Sequence, residues 1–179
     1  MKIVVAALAL IGLAAAPVED LKLGEVVADI AMKTLDGKEI KLADFRGDKG
    51  KVVVVYFQSS HCPSALKADD VKKIADKFGV KDSAVQFIAV FSYGKDNEGE
   101  VKSYVESNKL SYPCVADGDD KVTSHLGASK VNQTFVIDRA GKLVYRGAFT
   151  SRKTEYVIEA VNAALGKGKA PESDNKFQG

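Results

Sequence analysis

The sequence predicts an α/β protein: a sandwich with helices on a central mixed β-sheet. Three observations predict it. Val52-Val53-Val54-Val55-Tyr56-Phe57 is an unbroken β-branched and aromatic run without polar alternation, as expected of a strand buried on both faces. Strand-like and helix-like stretches alternate after it, and the chain closes with a hairpin and a helix. The 179 residues, 46% of them hydrophobic, suit one domain around one core.

Taken in order, Leu21 to Asp29 is mixed and extended. Ala31 to Leu35 and Glu39 to Leu42 flank Asp36-Gly37, a dipeptide that tight turns favour because Gly accepts positive φ, so they form a hairpin. After the loop Asp44 to Gly50 comes the central strand Val52 to Phe57. Ala65 to Phe78 carries Leu66, Val71, Ile74, Ala75 and Phe78 at helical spacing and stops at Gly79. Ala84 to Phe91 reads as a second buried strand, Glu98 to Ser107 as a helix and Tyr112 to Ala116 as a short strand. Asp119 to Leu126 is a short helix ended by Gly127. Thr134 to Ile137 and Leu143 to Tyr145, joined by Asp138-Arg139-Ala140-Gly141, form a second hairpin. Lys153 to Leu165, with Tyr156, Ile158, Val161 and Leu165 apolar, is the closing helix.

The ends are read separately. Met1-Lys2 leads into the small and apolar run Ile3 to Ala16, too short to span a bilayer and closed by Ala14-Ala15-Ala16 before Pro17. The expected organisation is a signal peptide at 1–16, a domain at 17–166 and a flexible polar tail at 167–179. Cleavage leaves no stable membrane insertion and delivers the chain to the periplasm or outside the cell, where thiols need a reductant to stay reduced, and the plain alternative is an uncleaved single-helix membrane anchor. Lys plus Arg total 26 against 24 Asp plus Glu, a formal net charge of +2, and no basic tract marks a nucleic-acid partner.

One position invites chemistry. Cys62, within Gln58-Ser59-Ser60-His61-Cys62-Pro63-Ser64, stands where the buried strand ends and the next helix is expected. Side chains at the carboxyl end of a central strand open into a crevice at which the following helix aims its amino end. Pro63 fits the first helical turn, which puts Cys62 at the N-cap, where peptide N–H groups and the helix half-charge favour the thiolate. His61 adds a local base or cation. The plain alternatives are a buried, inert Cys62 and a His61 that merely meets solvent.

Leu42-Ala43-Asp44-Phe45-Arg46-Gly47, Lys51 to Phe57, His61-Cys62-Pro63, Tyr112-Pro113-Cys114-Val115-Ala116-Asp117, Thr134-Phe135-Val136-Ile137-Asp138 and Gly141-Lys142-Leu143-Val144-Tyr145-Arg146-Gly147 together resemble the redoxin branch of the thioredoxin superfamily. That branch holds the alkyl hydroperoxide reductase/thiol-specific antioxidant proteins and exported thioredoxin-like reductases. The resemblance runs from Leu23 to Leu165 and is nearest to the peroxiredoxin-like subgroup with an H-C-P motif. It implies a thioredoxin-like three-layer α/β/α sandwich with an N-terminal hairpin. It also implies a reactive Cys62 aided by His61 and Ser59, with Pro63, Ser64 and Asn132 on the substrate side.

Departures from the family pattern narrow the chemistry. The second Cys of a C-x-x-C pair is Ala65 here, and the Pro that peroxiredoxins carry before the reactive segment is Val55. The peroxide-polarising Arg and the cis-Pro of thioredoxins both map near Val131-Asn132-Gln133, which holds neither. Ser60-His61-Cys62-Pro63 also resembles the start of the Sco copper-chaperone motif, whose second Cys falls at Leu66. One Cys beside one His cannot close a four-ligand site, and His125 is expected on the surface, so no metal is assigned. The plain reading of Tyr145 and Arg146 is a packed aromatic and an edge-strand charge, and that of Lys67, Lys72 and Lys73 the solvated face of the first helix.

Cys114 is the second sulfur, either buried and unreactive or a resolving or disulfide partner of Cys62. The expected protein is an exported thiol-dependent oxidoreductase without a bound cofactor. Its Cys62 meets a hydroperoxide or a protein disulfide and is returned by an external thiol or by Cys114. A redox-inactive binding or sensing module on the same fold is the alternative.

Overall fold

The computed structural model describes residues 21–78, 83–92, 96–151 and 154–173. The expected signal segment, Gly79 and the last six residues of the polar tail lie outside them. Strands β1 (Ala31–Lys33) and β2 (Glu39–Lys41) form the first hairpin, with Gly37 at φ 83° in its turn, and a 3₁₀ turn follows at Leu42–Phe45. The remaining elements are β3 (Val52–Gln58), α1 (Ala68–Phe78), β4 (Val85–Phe91), α2 (Glu98–Ser107), β5 (Cys114–Ala116), α3 (Lys121–Leu126), β6 (Gln133–Ile137), β7 (Leu143–Ala148) and α4 (Tyr156–Ala164). The fold is the thioredoxin-like sandwich that the motifs imply.

The sheet order is β5-β4-β3-β6-β7, with β3, β4 and β5 parallel and β6 and β7 antiparallel to their neighbours. Every residue of β3 is buried because both faces are covered. Val52, Val54 and Tyr56 pack with Val71, Ile74 and Ala75 of α1, Val101 of α2 and Val157, Ala160 and Val161 of α4. Val53, Val55 and Phe57 pack on the other side with Val122 and Leu126 of α3, Met32 of the hairpin and Leu42 of the 3₁₀ turn. The alternation of one strand thus sorts the helices into two layers.

The outer edge of β7 is also covered where the strand begins. Gly24 N donates to Leu143 O (2.7 Å), Leu143 N to Glu25 O (2.9 Å) and Val27 N to Gly141 O (2.9 Å), so the extended start of the domain runs beside it. Arg146 fits this edge as expected, donating from Nη1 to Leu21 O, while Tyr145 is fully buried.

Several boundaries differ from expectation: β1 ends at Lys33 instead of Leu35, β5 starts at Cys114 instead of Tyr112, and four larger elements shift as well. Helix α1 starts at Ala68 instead of Ala65, so Cys62 is not its N-cap. The amide of Asn132 takes the Leu66 N–H and the Ser64 carbonyl, two groups that a longer helix would use for itself. Helix α3 starts at Lys121, because Asp120 stands in the left-handed region (φ 53°) and Asp117 captures the Val122 and Thr123 amides. Helix α4 starts at Tyr156, after a turn in which Ser151 N donates to Thr154 O. Strand β7 runs three residues past Tyr145 to Ala148, which pairs with Gln133.

Candidate active site

Cys62 lies in the loop between the carboxyl end of β3 and α1 and is a free, partly exposed thiol. Its backbone is held on both sides. The Cys62 carbonyl accepts from Ala65 N (2.9 Å), closing a turn in which Pro63 and Ser64 are exposed. The Cys62 N–H donates to Ser59 Oγ (3.0 Å), as does the N–H of His61 (3.1 Å). Ser59 is buried, and its hydroxyl therefore caps the loop much as a serine caps a helix. Because α1 begins six residues further on, and a helix dipole acts mainly within its first turn, the polar environment of Cys62 comes from this loop.

Two buried polar side chains fix the loop from opposite sides. Asn132, at φ 66° just before β6, accepts at Oδ1 from Leu66 N (3.0 Å) and from the buried Tyr56 hydroxyl (2.9 Å), and donates from Nδ2 to Ser64 O (2.7 Å). Its peptide N–H donates to Phe57 O (2.8 Å). The described residues contain no cis peptide bond. Asp96, at the approach to α2, accepts at Oδ1 from Ser60 N (2.9 Å), from the Ser60 hydroxyl and from His61 Nδ1 (3.1 Å). Burial would push its carboxyl up, but the Ser60 hydroxyl and amide, His61 and the Ser59 hydroxyl together hold it below the ordinary 3.8.

His61 faces α2. Nδ1 contacts Ser60 Oγ (2.9 Å) and Asp96, while Nε2 lies 3.7 Å from Glu100 Oε1. An open groove of about 420 Å³ runs beside this ring, lined by Ser60, His61, Asn97, Glu100, Ser103 and Tyr104. Asp96 and Glu100 are the residues that sequence reading missed. The signal was present: Asn97 and Glu100 form a helix-start pattern in which Asn97 Oδ1 accepts from Glu100 N (3.0 Å), and an acid just before it sits near the carboxyl end of β4.

Cys114 is not part of this constellation. It is buried in β5, its register partner Ala89 is in turn paired with Tyr56, and its Sγ donates to Tyr112 O (3.4 Å). Both cysteines are free, and burial pushes the Cys114 thiol up to about 12. His125 is half-buried and its Nε2 lies 3.0 Å from Ala28 O, where it ties α3 to the start of the domain.

Residues 23–146 match the AhpC/TSA family. The chain belongs to this family. It is 25% identical over 146 residues to the thiol-disulfide oxidoreductase ResA of Bacillus thuringiensis subsp. konkukian, covering 80% of each chain. It is 28% identical over 141 residues to the chloroplastic peroxiredoxin Q of Gentiana triflora, covering 73% of this chain and 61% of that one. A solved structure assigned as the thiol:disulfide interchange protein DsbE of Chlorobium tepidum superposes with a TM-score of 0.66 at 22% identity, over 82% of this chain and 99% of that one. Both named relatives are thiol-dependent oxidoreductases, which is the class that the redoxin motifs imply for this chain.

Proposed function

We propose that this AhpC/TSA-family protein is an exported thiol-dependent oxidoreductase acting through Cys62 and returned to its reduced state by an external thiol. The observation that carries the reading is the contrast between the two sulfurs. Cys62 is partly exposed on a loop fixed at the carboxyl end of the central strand, while Cys114 is buried with its thiol held neutral. Export is supported by the run Ile3 to Ala16, and no helix among the described residues is long and apolar enough to cross a membrane.

In the disulfide version, Cys62 thiolate attacks one sulfur of a disulfide, forming a mixed disulfide and releasing the other sulfur as thiolate. An external thiol then attacks the mixed disulfide and frees Cys62. Ala65 stands where a C-x-x-C partner would resolve it internally, which is why the second thiol comes from outside. The hydroperoxide version is favoured by that same lone sulfur. The thiolate takes the terminal oxygen, the O–O bond breaks, the alcohol or water leaves after protonation, and the Cys62 sulfenic acid condenses with an external thiol to release water and form a mixed disulfide, from which a second external thiol frees Cys62. Pro63 and Ser64, exposed on the rim of the turn, are the surfaces that an incoming substrate meets first.

The test mixes the reduced protein with hydrogen peroxide or with a model disulfide and follows intact mass. Either a sulfenic acid trapped at Cys62 or a mixed disulfide at Cys62 supports the reading, and Cys62→Ser abolishes both. Oxidation of Cys62 no faster than that of free cysteine by either reagent leaves the binding or sensing module as the function.

A further inference from the structure

We propose that Asn132 is the positioning residue that fixes the shape of the Cys62 loop, and through it the reactivity of Cys62. The second half of this statement rests on the reading that Cys62 is the reacting thiol. Asn132 stands just before β6, the strand next to β3, and its side chain reaches both flanks of a short stretch beyond Cys62, taking the Leu66 N–H and giving to the Ser64 carbonyl. The third bond, from the Tyr56 hydroxyl, anchors the amide to a fully buried side chain of β3. The Oδ1 thus accepts from two donors, Nδ2 is placed on a carbonyl, and the amide orientation is set without ambiguity.

The bonds explain why the helix waits until Ala68. With the Ser64 carbonyl and the Leu66 N–H drawn sideways to Asn132, Cys62 to Ala65 is held as a separate turn, and Cys62 stays in an exposed loop instead of being wound into α1. Asn is also among the few residues other than glycine that accept the left-handed backbone at this position without undue cost. The side chain and the backbone therefore serve one geometry, and the amide is consumed by the protein itself. This replaces the substrate-side role that the resemblance implies for Asn132.

The test uses the full chain with Asn132→Gly, which keeps the left-handed backbone accessible and deletes all three bonds, and with Asn132→Asp, which keeps the two acceptor contacts and loses the donor to Ser64. Val161→Ala in α4, a core truncation on no path to the loop, serves as the stability control. Two quantities are read: hydrogen exchange at the Leu66 amide, and the rate of Cys62 alkylation by iodoacetamide as a function of pH. In Asn132→Gly the Leu66 amide exchanges about tenfold faster or more, the scale of one lost hydrogen bond, and the pH profile of Cys62 shifts. Asn132→Asp falls between, and Val161→Ala lowers the melting temperature without moving the profile. The proposal is overturned if Asn132→Gly matches the parent in both readouts, or if Val161→Ala moves the Cys62 profile as far. A parent Cys62 that alkylates like free cysteine defeats the proposed function, while Leu66 exchange still decides whether Asn132 holds the loop.

Discussion

His61 Nδ1 stands 3.1 Å from Oδ1 of Asp96, a carboxylate whose side chain is 1% exposed. The same oxygen takes the Ser60 amide and hydroxyl, so one buried acid organises the two residues before Cys62. Asp96→Ala removes the acceptor for these groups, and an expected loss of about 1–3 kcal/mol follows from leaving them unpaired. Urea denaturation at neutral pH measures it.

The acid limb of stability follows from the same carboxyl. Its folded pKa lies below the ordinary 3.8, so the stabilisation it contributes is complete above that value and is lost as pH falls through the folded pKa. Asp96→Asn has no proton to take up there. Between Asp96→Asn and the parent, the stability gap therefore narrows as pH falls below 3.8, which thermal melts across the acid range detect.

Cys114 is pushed up to about 12 by burial and stays a neutral thiol in the folded state at any ordinary pH. A raised thiol pKa gives stability that is present below the ordinary value of 9.0 and is lost as pH rises toward the folded value. In the native protein at mildly alkaline pH a thiol reagent is expected to modify the partly exposed Cys62 alone. In denaturant both thiols react, and mass spectrometry after each treatment counts them.

Ala65→Cys tests the turn directly. Ala65 N donates to Cys62 O at 2.9 Å, and the ends of such a turn lie within about 7 Å, inside the reach of a disulfide. The oxidised variant is expected to lose both thiols to an internal bond and to recover both on reduction, as thiol titration reports. It should also exchange with a model disulfide without an external thiol to resolve the intermediate.

Ser59→Ala leaves the His61 and Cys62 amides without their acceptor. A stability loss of about 1 kcal/mol is expected, with slower oxidation of Cys62 because the loop loses its cap. Chemical denaturation and the peroxide reaction, run on the same sample, read the two effects.

The fold was legible because its strongest signals are local. The Val52–Phe57 run can only be a strand covered on both faces, and Glu98–Ser107 coincides with α2 because its Asn97 cap is written beside it. Cys62 and Ser59 were legible as a pair for the same reason, both lying within four residues. The start of α1 was not, since the amide that stops it is 66 residues away in the chain at Asn132. Asp96 was hidden likewise, with partners 35 and 36 residues upstream in the loop after a different strand. A pattern in sequence reports what a segment prefers, and these two side chains act by taking backbone or loop groups that belong to another segment.

Gly24 to Val27 pair with Gly141 to Leu143 and use up the peptide groups where β7 begins. The start of that edge is thereby closed to strand addition, a route by which sheets recruit extended peptides or stack into fibres.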